Sequence, residues 1–507
     1  MLAALVLIAA DTTLVFSGRA GRTRLEVPRI EATITIDGEL SEPVWSRAAR
    51  LTDFSQYQPV DGRPAAEPTE VLVWYAADAI YFGIKATEVH GDVIRATHAN
   101  RDNISSEDNV QILLDTYNDR QIAFLFGVNA LGVQQDGTRS DQFGGGAGGS
   151  SASGGGFGNL NPLDGTVDLN PDFVFESKGR LVPGGYQVEI RIPFKSLRYR
   201  DGAKQTWGIN VLRRVQHSGF QDSWTPAVRA NARFLSQVGT LEGLHDLHRG
   251  LVLELTPTVT GRLDGSPATP TGWKYDRGGE VGGDVRFGLR QNLTLNGTVN
   301  PDFSQVEADV GQVLLNARFA LFYPEKRPFF LDGLELFDTP NQLIYTRRIV
   351  APEGGLKLAG KIGRVNVATM VVADDPDQSV TGAKTPVFGI ARLKEDFGHG
   401  VTLGGVLTDR EEGADHSRLA GMDLRVYHSK LYYVEFQGVQ SWTVDPAGSR
   451  AGRRRTRRSR TRHTVAPAPR SSPWCRAREA TAQGSPAHPH PAGPISLSVR
   501  REGGVVG

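Results

Sequence analysis

From Leu251 onward, apolar and polar residues alternate with a period of two. In "LVLELTPTVTGRL", Leu251, Leu253, Leu255, Val259 and Leu263 share one face, with Glu254, Thr256, Thr258, Thr260 and Arg262 opposite. "VGGDVRFGLRQNLTLNGTVN" repeats the pattern around a short turn at Gln291-Asn292. So do "GLKLAGKIGRVNVATMVVAD", "VFGIARLKEDFGHGVTLGGVLTD" and "LAGMDLRVYHSKLYYVEFQGV", each a pair of roughly ten-residue strands. A transmembrane β-strand needs about 9–11 residues, with apolar side chains toward lipid and polar ones toward the lumen. A soluble antiparallel sheet with one wet face gives the same alternation, so pattern alone leaves both open.

Between Ile30 and about Asp246 the texture differs: short β-type runs separated by Gly, Pro and Asp turns, the signature of a β-sandwich. "EVLVWYAADAIYFGIKATE" predicts a hairpin, Glu70 to Tyr75 and Ala79 to Thr87. "NVQILLDTY", "QIAFLFGVNALG", "FVFESKG", "GYQVEIRIPF" and "QTWGINVLRRV" predict further strands, and "SEPVWSRAA" is the one short helical candidate. The Gly-rich run from Gly144 to Gly156 cannot pack a core and reads as a flexible loop.

Two segments break the strand pattern. Pro301, Pro324 and Pro328 cannot donate to a ladder, so the span 300–348 must leave the sheet. It is expected to be a folded loop, with Glu325, Lys326 and Arg327 in local ion pairs and Phe329, Phe330 and Phe337 packed inward as a lid or plug, or as a structural corner sealing the domain junction. Beyond Ser449 neither a β nor a helical period survives, and residues 450–507 are expected to be a disordered tail read out of frame. An Arg-rich tail for nucleic acid or anionic lipid is the alternative there.

Composition narrows the class. The formal net charge of +1 hides an Arg-crowded tail on an otherwise mildly acidic chain, and 59 Gly suit a turn-rich β protein. No apolar run reaches the 18 residues of a membrane helix, and the single cysteine, Cys475, excludes a disulfide framework. The start "MLAALVLIAAD" resembles the apolar core and cleavage end of a secretory signal but lacks a basic leader, so residues 1–24 are expected to be signal-like. Export tips the alternating strands toward an outer-membrane-type barrel spanning 250–445. About nine candidate strands precede the tail, which would leave that barrel incomplete.

"TIDGELSEPVWSRAARLTDF", "VWYAADAIYFGIKATE" and "SSEDNVQILLDTYND", with "GGYQVEIRIPFKSLRY" and "WGINVLRRV", resemble the family 9 carbohydrate-binding modules over most of residues 30–246. "NPDFSQVEAD", "FYPEKRPFFLDGLELF" and "IYTRRI" resemble a bacterial family of unknown function in which such a domain precedes an outer-membrane β-barrel. The implied fold is all-β: an antiparallel β-sandwich plus an incomplete antiparallel outer-membrane-type β-barrel. The implied function is non-catalytic binding of an oligosaccharide or polysaccharide by an exported protein of the bacterial outer membrane or cell surface, with membrane lipid as the other partner and no nucleic acid. Coupling to glycan uptake belongs to the same expectation.

Sugar binding needs flat aromatic faces beside side chains that satisfy hydroxyls. Tyr57, Trp224 and Phe157 lie near loop signals, and Trp74 lies in a strand where a core role competes. "RDNISSEDN" brings Arg101, Asp102, Asp108 and Asn109 to a strand entry, with a solvated turn as the alternative. Asp37 with Glu39 and Asp108 with Asp115 are candidate oxygen ligands for a structural Ca²⁺. No nucleophile elbow, zinc-protease or Cys–His motif is present. The competing readings are a glycan-processing O-glycosyl hydrolase of carbohydrate catabolism using Glu176 with Glu189, and a surface scaffold without sugar ligand.

Overall fold

The computed structural model describes residues 14–91, 93–141, 166–231, 233–269, 272–301, 325–378, 384–429, 432–444 and 455–463. The Gly144–Gly156 loop and Phe157 lie outside them. The described chain is almost wholly β: two sheets packed face to face, followed by a third, ten-stranded sheet.

The first sheet has six strands in the order Val15–Ser17, Ala49–Thr52, Thr69–Tyr75, Ala79–Thr87, Gly185–Pro193 and Glu176–Val182. The second runs Thr166–Asp168, Gln134–Ser140, Ile122–Asn129, Asn109–Asp115, Lys204–Val215, Phe220–Ser223 and Ser55–Gln58, with Gly239–His245 beside Lys204–Val215 and Arg24–Glu26 beside Gly239–His245. Val71, Val73, Phe82, Ile84, Ile112, Phe126, Ile190, Trp207 and Ile209 fill the space between the sheets.

The hairpin strands lack alternation because both their faces are covered. Leu72, Trp74 and Tyr81 point away from the main core into a second cluster with Ile30, Val44 and Trp45. The helical candidate supplies part of this cover as a single 3₁₀ turn, Pro43–Arg47. Gly83 permits the approach, since a Cβ there would come within 2.6 Å of Leu40 and 2.9 Å of the Trp45 ring.

The third sheet is a meander in strict sequence order from Leu253–Thr269 to Arg455–His463, each strand antiparallel to the next. Among the described residues its first and last strands do not pair, so the sheet is open. One face is aliphatic and exposed, and the other mixes charged side chains with an apolar patch of Ala368, Met370, Val372 and Val406. Val259 is 80% exposed, Val281 73% and Leu356 62%, with Val371, Leu393, Leu407 and Met422 also exposed on that face. Asn296, Lys357, Arg392, Lys394, Asp423, Arg425 and Gln437 are buried on the other.

What covers that mixed face is the segment the prolines exclude from the sheet. Its helix Pro328–Leu331 and 3₁₀ turns Leu334–Phe337 and Thr346–Arg348 carry Phe329, Phe330, Phe337, Ile344 and Ile349 onto Ala368, Met370, Val372 and Val406. Glu325 and Arg327 form a bidentate pair, 2.8 Å at both contacts, and the Thr346 hydroxyl donates to Glu325 at 2.6 Å. Lys326 stays exposed.

Two boundaries differ from expectation. Residues 14–24 do not stand apart: Val15–Ser17 pairs in parallel with Ala49–Thr52, and Arg24–Glu26 with Gly239–His245. Three backbone pairs suffice for such edge strands, and so short a run shows no period. In the tail, Arg455–His463 pairs with Tyr433–Val444 although its sequence has no β-period. Edge pairing uses backbone groups, which any residue but proline supplies.

Candidate functional site

The aromatic candidates are core residues. Trp74 is fully buried, stacked on Tyr81 with centroids 3.9 Å apart and edge-on to Trp45 at 6.1 Å. Tyr57 is buried edge-on to Phe234 at 5.4 Å. Trp224 is buried too, its indole N–H donating to the Phe16 carbonyl at 3.2 Å. These three therefore present no ring face to a ligand, which corrects the expectation for Tyr57 and Trp224. Loop signals locate backbone turns, whereas the covering of a ring depends on segments distant in sequence. Among the described residues 14–249, Phe16, Tyr117 and Phe220 are half-buried and no Trp, Tyr or Phe is exposed.

The polar candidates are brought together, but to hold loops. Arg101 donates to Asp136, to Gln134 and to the Phe173 carbonyl, each at 2.8 Å. Asp102, in the left-handed region at φ 68°, accepts the Asp136 N–H at 3.0 Å. Asp108 accepts the N–H groups of Arg95 at 2.7 Å and Gln216 at 3.0 Å. Asn109 donates to the carbonyls of Ile104 and Glu107. Burial pushes Asp136 up to about 6, against the pull of the Phe173 N–H and Arg101. Asp102, Asp136 and Asp172 gather in one cluster, but Arg101 already supplies its cation.

The calcium pairs do not form a cage. Asp37 caps the Glu39 N–H at 2.8 Å, and Glu39 pairs with Arg180. Asp108 precedes the strand Asn109–Asp115 and Asp115 ends it, where it accepts the Arg120 N–H at 2.7 Å.

Glu176 and Glu189 share no cleft. Glu189 is fully buried, with Asp37, Gly38 and Trp45 donating to its two oxygens, and Glu176 holds Arg191 at 2.6 Å. Burial raises Glu189 to about 7, yet a substrate has no path to it.

Open polar space lies elsewhere on the sandwich. A cleft of about 510 Å³ runs along the edge of the second sheet, lined by Glu26, Arg29, Tyr75, Lys204, Gln205 and His245. The Tyr75 hydroxyl donates to the Gly243 carbonyl at 2.9 Å, and its ring lies edge-on to His245 at 6.1 Å. Asp246 bridges His245 at 3.0 Å and Arg29 at 3.5 Å. The volume falls within the roughly 300–1,000 Å³ of small-ligand pockets. Its polar groups lie beside Leu14, Val27, Pro28 and Leu244. A second cleft, about 530 Å³, lies between the sandwich and the strand turns of the third sheet, where Arg233 sits 4.9 Å over the Tyr427 ring. Sequence reasoning missed both. Their linings join residues more than 200 positions apart, and no local pattern marks them.

Residues 36–225 match the carbohydrate family 9 binding domain-like family, and residues 251–361 match a domain of unknown function, DUF5916. Among solved structures the chain is similar to a carbohydrate binding module family 9 from Caldicellulosiruptor kristjanssonii in complex with cellotriose, at 15% identity over 43% of this chain and 92% of that one, TM-score 0.28. It is similar to the module from the same organism in complex with glucose at 15% identity, over 45% of this chain and 100% of that one, TM-score 0.29. No curated protein matches the chain. The N-terminal sandwich is thus a carbohydrate family 9 binding domain-like unit.

Proposed function

We propose that this chain is a carbohydrate-binding protein of the bacterial outer membrane, in which the sandwich takes the glycan and the third sheet holds the chain in lipid. The family match over residues 36–225 supports carbohydrate as the ligand class, and the edge cleft beside Tyr75 and His245 offers the polar groups.

The observation that carries the anchoring is the polarity of the third sheet, with aliphatic side chains on its open face and charges on its covered face. A continuous apolar face in water is costly, whereas lipid accepts it. Strands of 10–13 residues from Pro352 to Val444 fit the thickness of a bilayer. Exposed Phe397 and Tyr432 lie at one end of the strands and Trp442 at the other, as in an interfacial aromatic belt.

The sandwich touches the end of the sheet at which the turns 291–292, 363–364, 399–400 and 428–432 are all short, although the two-residue turn 413–414 lies at the other end: Asn292 accepts the Tyr117 hydroxyl, and Lys361 pairs with Asp119. The long connections 300–351, 375–386 and 445–454 leave the opposite end. Barrels keep short turns on the periplasmic side, which supports a periplasmic sandwich below a plugged sheet. Glycan captured there would be coupled to uptake.

The test is isothermal titration of the detergent-solubilised full chain with gluco-, xylo- and manno-oligosaccharides, repeated on His245→Ala/Lys204→Ala. Saturable binding abolished by the double variant is expected. Absence of binding to every glycan overturns the ligand reading. A chain monodisperse in buffer without detergent overturns the membrane reading.

A further inference from the structure

Where strands of the two sandwich sheets end together, three carboxylates are buried around one cation. Glu67 lies two residues before the strand Thr69–Tyr75, Glu88 immediately follows Ala79–Thr87, and Asp222 lies directly opposite Arg213 in the register of neighbouring strands. Glu67 is 2% exposed, Glu88 5%, Asp222 1% and Arg213 0%. His217, from the turn between the strands of Arg213 and Asp222, closes the cluster and is partly open to solvent.

Arg213 cannot neutralise this group. One side of its fork donates to Glu88 Oε1 at 2.5 Å and the Thr87 carbonyl at 3.1 Å, and the other to the Pro68 carbonyl and the Thr69 hydroxyl. One positive charge faces three carboxylates. Both oxygens of Asp222 and the Oε2 of Glu88 are buried without a hydrogen-bond partner. A buried carboxylate oxygen with no donor is strongly disfavoured unless the group takes up a proton or binds a cation. A bound cation would meet all three carboxylates at once.

The spacing indicates what. One ligand atom each from Glu67, Glu88 and His217 lies within 4.8 Å of the others. His217 Nδ1 is 3.6 Å from Glu88 Oε2, and His217 Nε2 is 4.0 Å from Glu67 Oε1. Those gaps are too long for hydrogen bonds. Only one ring nitrogen can bind a given ion; the Nδ1–Glu88 Oε2 gap is near the roughly 3.3–3.5 Å that separates neighbouring donors around a tetrahedral ion with bonds near 2.0–2.1 Å, and a Glu67 oxygen completes the set within 4.8 Å. His90, largely exposed, bonds Glu67 Oε1 through Nδ1 at 2.6 Å, and the Val89 N–H bonds Glu67 Oε2 at 2.6 Å, so Glu67 is aimed from behind.

We propose that Glu67, Glu88 and His217 bind one divalent transition-metal ion of the zinc class, with His90 orienting Glu67 and Asp222 supplying further negative charge. An imidazole ligand beside carboxylates selects this class over Ca²⁺ or Mg²⁺, which take oxygen donors. The ion ties together the ends of three strands from both sheets, a structural clasp distinct from the glycan cleft. His217 and His90 form its solvent-facing side, through which the ion enters.

The experiment uses the full-length, tag-free chain in detergent, stripped with EDTA and titrated with Zn²⁺, with Co²⁺ absorption spectra as a second readout. One saturable equivalent of Zn²⁺ is expected, with a raised unfolding temperature and the visible bands of tetrahedral Co²⁺. In His217→Ala that equivalent is lost, and in His90→Ala affinity falls about 10–100-fold. Ca²⁺ at the same concentration leaves the unfolding temperature unchanged. Wild-type chain that takes up no saturable Zn²⁺ overturns the proposal, as does His217→Ala that folds and binds as tightly as wild type. Should His217→Ala not fold, the wild-type stoichiometry and Co²⁺ spectrum decide. Neither readout depends on glycan binding.

Discussion

Glu189 and Trp45 are joined across 144 positions of sequence by a hydrogen bond of 3.2 Å from the indole N–H to Oε1, while the N–H groups of Asp37 and Gly38 both donate to Oε2 at 2.8 Å. One buried carboxylate thus pins the Asp37-Gly38 turn and the 3₁₀ turn Pro43–Arg47 onto the first sheet. A Gln in its place has only one acceptor oxygen, and its amide nitrogen would face a donor. Glu189→Gln is expected to cost about 1–3 kcal/mol, read as a lower denaturant midpoint by tryptophan fluorescence.

The pH dependence of stability follows from groups held protonated by burial. Burial, and secondarily the charge of Asp119, pushes Asp115 up to about 7 from its ordinary 3.8. Between those values the folded chain keeps a proton that the unfolded chain has lost. This contribution is therefore fully present below about pH 4 and disappears as pH rises toward 7, on the order of a few kcal/mol. Asp115→Asn is expected to flatten the slope of unfolding free energy over that window, measured by denaturant titration at a series of pH values.

The plug is tied to the sandwich by charge. Arg198 is 5% exposed and donates to Glu335 at 2.7 Å and Asp332 at 3.4 Å. Removing it leaves two acids in the interior without that partner, although Arg286 and Asn296 still hold Asp332. Arg198→Ala is expected to loosen the junction by about 3–5 kcal/mol. Faster amide exchange over Lys326–Arg348 would report it, with the strands Thr69–Tyr75 and Ala79–Thr87 unaffected.

The open face of the third sheet gives the sharpest contrast between lipid and water. Val259→Arg is expected to lower insertion into vesicles by about 2–4 kcal/mol if the residue lies near the bilayer midplane. Thr258→Lys, one residue away on the other face, is expected to insert like wild type. Equal insertion of Val259→Arg would indicate that this face meets water.

Much of this architecture was legible locally. The hairpin Thr69–Tyr75 with Ala79–Thr87 lies within a residue of its expected bounds, because its β-branched and aromatic run and tight turn need no distant partner. That the segment carrying Pro324 and Pro328 leaves the sheet was legible through its prolines, which forbid a ladder wherever the chain goes. The candidate site was not: Arg101, Asp102, Asp108 and Asn109 were recognised as a polar cluster, but whether such groups face a ligand or their own backbone depends on what packs around them.

Sequence by itself determined the strand periodicity, the change of texture near residue 250 and the resemblance to a sugar-binding sandwich, since each is carried by neighbouring residues or by a continuous motif. Tertiary structure alone decided that Tyr57, Trp74 and Trp224 are core, which side of the third sheet is covered, and that Glu67, Glu88 and His217 meet. A side chain's chemistry is written in its type, but its exposure and its partners arise only when segments far apart along the chain close over it.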